Sequence, residues 1–153
     1  MPSKASSSAG VRGSVRPAKP AAPQGLVAAW DFDEAVGNQA RDTSGNALHG
    51  VLRGAQRAAG RTGRAIECGK DALIEVRHSA ALDEFQKGIT IAAWVNRAAD
   101  ESWNTVASRE IKDGWSEYFG LAVVKNKALF SVDGDGAHYQ NIKSDEDVPV
   151  GEW

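Results

Sequence analysis

Ile89-Thr90-Ile91-Ala92-Ala93-Trp94-Val95 is the stretch on which the fold turns. Ile89, Ile91, Ala93 and Val95 alternate onto one side, as the two-residue period of a strand requires, and Trp94 falls on the other. Dense β-branched residues with apolar side chains on both sides predict a central strand covered on both faces.

Further strand patterns lie on either side of it. Thr105 to Arg109 predicts one strand, and Tyr118 to Val124 with Ala128 to Asp133 predicts a hairpin about Lys125-Asn126-Lys127, with a further strand from His138 to Lys143. Asp133-Gly134-Asp135-Gly136 reads as a turn in preference to a calcium loop, because Asp-Gly is a strong hairpin signal. Asp145-Glu146-Asp147, just before Pro149, reads as a loop. Upstream, Ser79 to Phe85 suits one helical turn capped by Ser79. Ala65 to Cys68 and Leu73 to Val76 are brief strands split by Gly69-Lys70-Asp71. Arg53 to Arg64, studded with glycine, reads as a loop, and His49 to Leu52 as a short strand. In Leu26-Val27-Ala28-Ala29-Trp30-Asp31-Phe32 the even positions share one face, which predicts a half-buried opening strand. No stretch holds a helical period and no internal repeat is present, so the chain reads as all-β.

Composition narrows the classes. The 153 residues are 42% hydrophobic, enough for one domain with a core. Lys4, Arg12, Arg16 and Lys19 have no acid among them, so residues 1–24 carry +4 and the remainder −6 within a total of −2. An acidic body makes nucleic acid a poor partner, and the Ser/Ala/Pro-rich segment 1–24 reads as a disordered linker or tail ahead of a domain at 25–153. Cys68 is the only cysteine, which excludes an intrachain disulfide and a Cys-x-x-Cys site; it is expected to be a small buried side chain. No apolar run is long enough to span a membrane, and the N-terminus lacks the apolar region of a secretory signal.

Acidic, amide and glycine residues converge only in Asp42-Thr43-Ser44-Gly45-Asn46-Ala47-Leu48-His49-Gly50. Two readings of it stand. Asp42 and Asn46 with a carbonyl at Gly50 could furnish the oxygens of a calcium site; alternatively Asp and Asn bond their own backbone in a polar turn. An EF-hand is excluded, because counting from Asp42 places Ala47 at the glycine position and Arg53 at that of the bidentate Glu. Asp31 and Asp33 share a strand face, facing either solvent or a cation beside this loop, and no third alternating acid follows to make a glycosidase pair. His49, His78 and His138 are scattered, no nucleophile elbow or phosphate loop is present, and no catalytic residue is assigned.

These segments together resemble the laminin G-like family of concanavalin A-like lectin sandwiches, in the form common as accessory modules of exported bacterial proteins. The resemblance rests on Gly25 to Glu34, Asp42 to Asn46, Gly63 to Ile66, Gly88 to Val95, Tyr118 to Leu121, Ala128 to Val132 and Val150 to Trp153. It implies an antiparallel two-sheet jelly roll with a structural calcium near Asp42 and Asn46, although Ala47 stands where the family often has glycine. It also implies strands beyond Trp153, so an incomplete sandwich with exposed apolar faces and an unpaired edge is expected. The function it implies is a non-catalytic binding or adhesion module for carbohydrate or a cell-surface protein, extracellular or periplasmic, within a larger protein. Trp103 and Trp115 are the candidate ligand contacts, ahead of Tyr118 and Tyr139, because aromatic rings in polar surroundings can stack on sugars. A carbohydrate-active enzyme of the same fold, or an architectural domain, is the alternative.

Overall fold

The computed structural model describes residues 23–83, 88–99, 103–110, 117–133 and 139–153. Nearly all regular structure among them is strand, arranged in three antiparallel sheets with one 3-10 turn.

The first sheet has the order β1 (Gln39–Ala40), β2 (Gly50–Arg53), β5 (Leu73–Val76). Gly50 sits between Ala40 and Val76, and a Cβ there would lie 2.5 Å from Ile74 Cγ2. The strands therefore close over a missing side chain. Gly50→Ala is expected to lower the midpoint of thermal unfolding, at a cost of about 1–3 kcal/mol from overpacking; an unchanged midpoint would show that the strands part freely.

The second sheet pairs β3 (Gln56–Ala59) with β4 (Arg64–Glu67), so the stretch read as a loop contains a strand. Its turn is pinned from outside: Asp33 Oδ1 accepts the Arg64 N–H at 2.9 Å, and Gly63, at φ +69, leaves room for that carboxylate. Cys68, just past β4, is exposed rather than buried, because the chain has already left the strand.

The third sheet runs β6 (Trp103–Glu110), β7 (Glu117–Val124), β8 (Lys127–Asp133), β9 (Tyr139–Asp147). Lys125 and Asn126, at φ 48 and 68, make the two-residue turn joining β7 to β8; two left-handed residues give the turn whose twist matches its flanking strands. Apolar alternation places Phe119, Leu121, Val123, Ala128, Phe130 and Val132 on one side of the central pair. Ala122, Val123, Leu129 and Ser131 are buried. The acidic run 145–147 continues β9 instead of forming a loop: the Lys127 ammonium pairs with Asp147 at 2.8 Å and bonds Asp145 O at 2.6 Å, offsetting the low strand preference of those acids.

Between the sheets, the 3-10 turn Ala80–Leu82 is capped by Ser79, whose hydroxyl accepts the Ala81 N–H. Asp83 follows it, pairs with Arg109 of β6 and bonds His78 Nε2 at 2.9 Å. Arg97 is buried and donates to Asn126 Oδ1 and Val148 O, joining residues 88–99 to the third sheet.

Two expected strands are not strands. Leu26 to Phe32 has a single bridge, Trp30 to Asp42, and Phe32 adopts φ 59, which breaks the alternation. Ile89 to Val95 has no strand partner among the described residues, and Trp94 is 65% exposed with the Arg61 guanidinium 3.6 Å from its ring centroid. Intrinsic preference names a segment fit for a sheet, but a strand exists only where a neighbour completes its ladder.

Candidate functional site

The loop at 42–50 is built around the Asp42 carboxylate, which is only 8% exposed. Oδ1 accepts the Ala29 N–H at 3.0 Å and the Ser44 N–H at 2.8 Å; Oδ2 accepts the Leu48 N–H at 3.0 Å and the Ser44 hydroxyl at 2.8 Å. The Ser44 hydroxyl has one proton and a second acceptor in reach, Val27 O at 3.1 Å, and its oxygen also receives the Asn46 N–H. Around this centre, Thr43 N–H donates to Ala29 O at 2.7 Å, the Trp30 indole N–H to Leu48 O at 2.9 Å, and the Asp42 N–H to His49 Nδ1 at 3.0 Å. These bonds replace a strand ladder between residues 26–32 and 42–49.

Burial pushes the Asp42 carboxyl up, but the amides of Ala29, Ser44 and Leu48 and the Ser44 hydroxyl outweigh it and hold it down to about 2 from an ordinary 3.8. Donors aimed at a carboxylate favour its charged form.

That arrangement does not fit calcium. A calcium ligand turns its lone pairs to the ion, whereas both Asp42 oxygens are met by N–H and O–H groups whose positive ends would oppose a cation. Asn46 turns its amide N–H groups to Val27 O at 2.8 Å and Leu26 O at 3.3 Å, and Gly50 belongs to β2. Asp33 is engaged with Arg64 of β4. No group of three or more His, Cys, Asp or Glu able to hold a metal is found among the described residues. Ala47 takes φ 57, the left-handed conformation that glycine adopts without steric cost.

A second hub, with no counterpart in the sequence reading, is Arg57 on β3. Its guanidinium donates to Phe32 O at 3.3 Å, Gly37 O at 3.3 Å, Gln39 O at 2.7 Å and Glu34 Oε2 at 2.8 Å. Glu34 Oε1 accepts the Arg41 N–H at 2.6 Å. Burial raises the Glu34 carboxyl, but the Arg41 amide, its own amide and the Arg57 guanidinium together outweigh that, for a net fall. One buried anion collecting donors and one buried cation collecting acceptors thus hold residues 26–50 in place.

Trp103 opens β6 at the edge of the third sheet, 54% exposed, with its indole N–H on Thr105 Oγ1 at 3.1 Å. Trp115 lies outside the described residues, as do the side chains of Tyr118 and Tyr139, whose backbones belong to β7 and β9. The structure does not bring Trp103 together with the 42–50 loop through any contact among the described residues.

Antiparallel sheets of short strands, with no helix beyond a single 3-10 turn among the described residues, define an all-β protein of the antiparallel sandwich class. The family profile of laminin G type in the concanavalin A-like lectin/glucanases superfamily matches residues 69–153, and the chain belongs to that family. The matched span contains β5 to β9 and Trp103, and excludes the Asp42 and Arg57 hubs. Neither a curated protein nor a solved structure matches the chain. No helix among the described residues is long and apolar enough to cross a membrane.

Proposed function

We propose that this chain is a non-catalytic binding module, with a carbohydrate or a protein surface as its ligand, carried in an exported protein, and that Trp103 is a contact residue, with Trp115 as its companion. The observation that carries the reading is the state of the Trp103 ring. Its one polar group is already satisfied by Thr105 on the same strand, so the ring is held in place before any ligand arrives, and more than half of it faces solvent. A preordered, desolvatable aromatic face gives stacking area at low entropic cost. The family supplies the class of function, and fold alone does not choose the ligand.

Five carboxylates among the described residues support a non-catalytic reading over the glycosidase alternative. Asp42 is occupied by donors, Glu34 by Arg57, Glu75 by Arg53, Asp83 by Arg109 and Asp147 by Lys127. Asp42 and Glu34 hold structure from buried or nearly buried positions, and Glu75, Asp83 and Asp147 sit in surface ion pairs. In this reading the 42–50 loop ties down the N-terminal half of the module and takes no part in ligand chemistry.

The test is a glycan array followed by titration of any hit, with a panel of cell-surface proteins as the second arm. Trp103→Ala is expected to weaken binding about tenfold or more, in the range of one lost aromatic stack, with an unchanged unfolding midpoint. Full affinity in that variant removes Trp103 from the site. Release of shortened oligosaccharide by the protein would establish the enzyme instead.

A further inference from the structure

The third sheet has two unlike faces. Cross-strand partners share a face, so the pairs Val124–Lys127, Ala122–Leu129 and Gly120–Ser131 lie opposite the apolar side made by Phe119, Leu121, Phe130 and Val132. To that second face β6 adds Trp103 beside Val124 and Thr105 beside Ala122, and β9 adds Lys143 beside Leu129 and Asn141 beside Ser131. Two side-chain bonds agree with this register: the Trp103 indole N–H donates to Thr105 Oγ1, and the Ser131 hydroxyl to Asn141 Oδ1 at 2.7 Å. In a sandwich the second layer packs on the apolar face and a further strand pairs at an edge, so neither covers this side.

The exposed groups of this face stand on its outer strands. Ala122, Leu129 and Ser131 are buried along the middle, whereas Trp103 on β6 and Asn141 and Lys143 on β9 are exposed. A ligand that touches both sides must cross three strand spacings, about 14 Å, which a short oligosaccharide spans and a single sugar does not. One end of that path is an aromatic ring and the other is a cation. Lys127 on the same face is already spent on Asp147, but Lys143 has no carboxylate partner among the described residues. An ammonium at that position complements a carboxylate, and its three donors also serve the hydroxyls that flank one on a sugar ring.

We propose that this face takes a linear acidic glycan, the chain crossing the strands with one sugar on Trp103 and a uronate carboxylate on the Lys143 ammonium. The inference rests on the reading of Trp103 as a ligand contact, and adds to it the class of sugar and the direction of the chain.

Titration calorimetry on the full chain tests it, with oligogalacturonate and oligoguluronate as probes, each as disaccharide and longer oligomer, and their carboxyl-reduced forms as neutral controls. The expected result is that a longer acidic oligomer binds more tightly than its disaccharide, and about fivefold more tightly than its neutral form at low salt. Lys143→Met should bring the acidic oligomer down to the affinity of the neutral one and leave the neutral one unchanged. Lys143→Arg should keep the preference, as should Lys70→Met, which removes an exposed lysine from the turn before β5. Lys143 is exposed, so the unfolding midpoint should not move; if it does in the Met variant, Lys143→Gln gives the same readout. Trp103→Ala should weaken both forms. If it does so while Lys143→Met changes neither, this proposal is overturned and the Trp103 reading stands; full affinity in Trp103→Ala removes that reading and this one with it. No binding of any acidic oligomer, equal affinity for the disaccharide, or an equal loss in Lys70→Met would also overturn the proposal.

Discussion

Asp42→Ala is expected to cost about 3–5 kcal/mol of stability, a large share of the roughly 5–15 kcal/mol that holds a domain together. The estimate follows from what the carboxylate leaves behind: the amides of Ala29, Ser44 and Leu48 lose their acceptor at a buried centre, and each unsatisfied amide costs about 1–3 kcal/mol before water relieves part of it. Asp42→Asn should cost less, because one oxygen still accepts, but its NH2 faces donors where the wild-type oxygen accepted. The pH dependence separates charge from shape. The folded carboxyl titrates at about 2 and the unfolded one near its ordinary 3.8, so acid protonates the unfolded chain first. The stabilisation is therefore fully present above the unfolded value and is lost as pH falls through the folded one. It is worth roughly 1–2 kcal/mol after a discount for solvent screening. Urea denaturation between neutral pH and the acid limit should show that loss in the wild type and its absence in Asp42→Asn, and the comparison removes the parallel contribution of Glu34. In the same assay calcium should leave the wild-type midpoint where it is. A calcium-dependent rise abolished in Asp42→Asn would mean that the ion displaces the donors and that the loop is a metal site after all.

The loop shows how far a sequence can be read. Asp42 stands out from its neighbours because Ser44 and Asn46 follow at turn spacing, and that local chemistry is legible. Which way the carboxylate serves is set by Ala29, thirteen residues upstream, and Leu48, six downstream, and no spacing rule encodes them. Cation site and anion cage share the same residue types and differ only in whether oxygens or N–H groups converge. β7 and β8 were legible for the opposite reason: alternation in Phe119-Gly120-Leu121-Ala122-Val123 and a two-residue turn lie within the pair itself. β3 was not, because Gln56–Ala59 has no apolar alternation and owes its place to β4 and to the inward-turned Arg57. Ile89 to Val95 shows the limit from the other side, with every local sign of a strand and no partner along the ladder among the described residues. Trp103 could be singled out by type and polar surroundings, but the bond that immobilises its ring required the register of β6.

Arg57 is the residue on which the 32–41 segment should fail. Its guanidinium side chain is 9% exposed, its four acceptors come from Phe32, Glu34, Gly37 and Gln39, and all lie 18 to 25 residues earlier in the chain. Arg57→Ala removes the donors but leaves a mostly buried carboxylate and three carbonyls, and breaking one side of such a pair costs about 3–5 kcal/mol. Arg57→Lys keeps the charge but replaces a planar fork with a compact ammonium that cannot span carbonyls on both sides, so it should recover less than half of the loss. If the pair with Glu34 carries the effect, Arg57→Ala combined with Glu34→Gln will be less destabilised than the sum of the single variants, because the stranded charge is gone. If the carbonyl bonds carry it, the double variant will be additive, and native-state hydrogen exchange will show the Arg41 amide, held by Glu34 Oε1, protected in the Arg57→Ala chain as in the wild type. The geometry favours coupling: Glu34 spends one oxygen on Arg57 and the other on the Arg41 amide, so losing the guanidinium frees the carboxylate to turn toward water and takes the Arg41 bond with it.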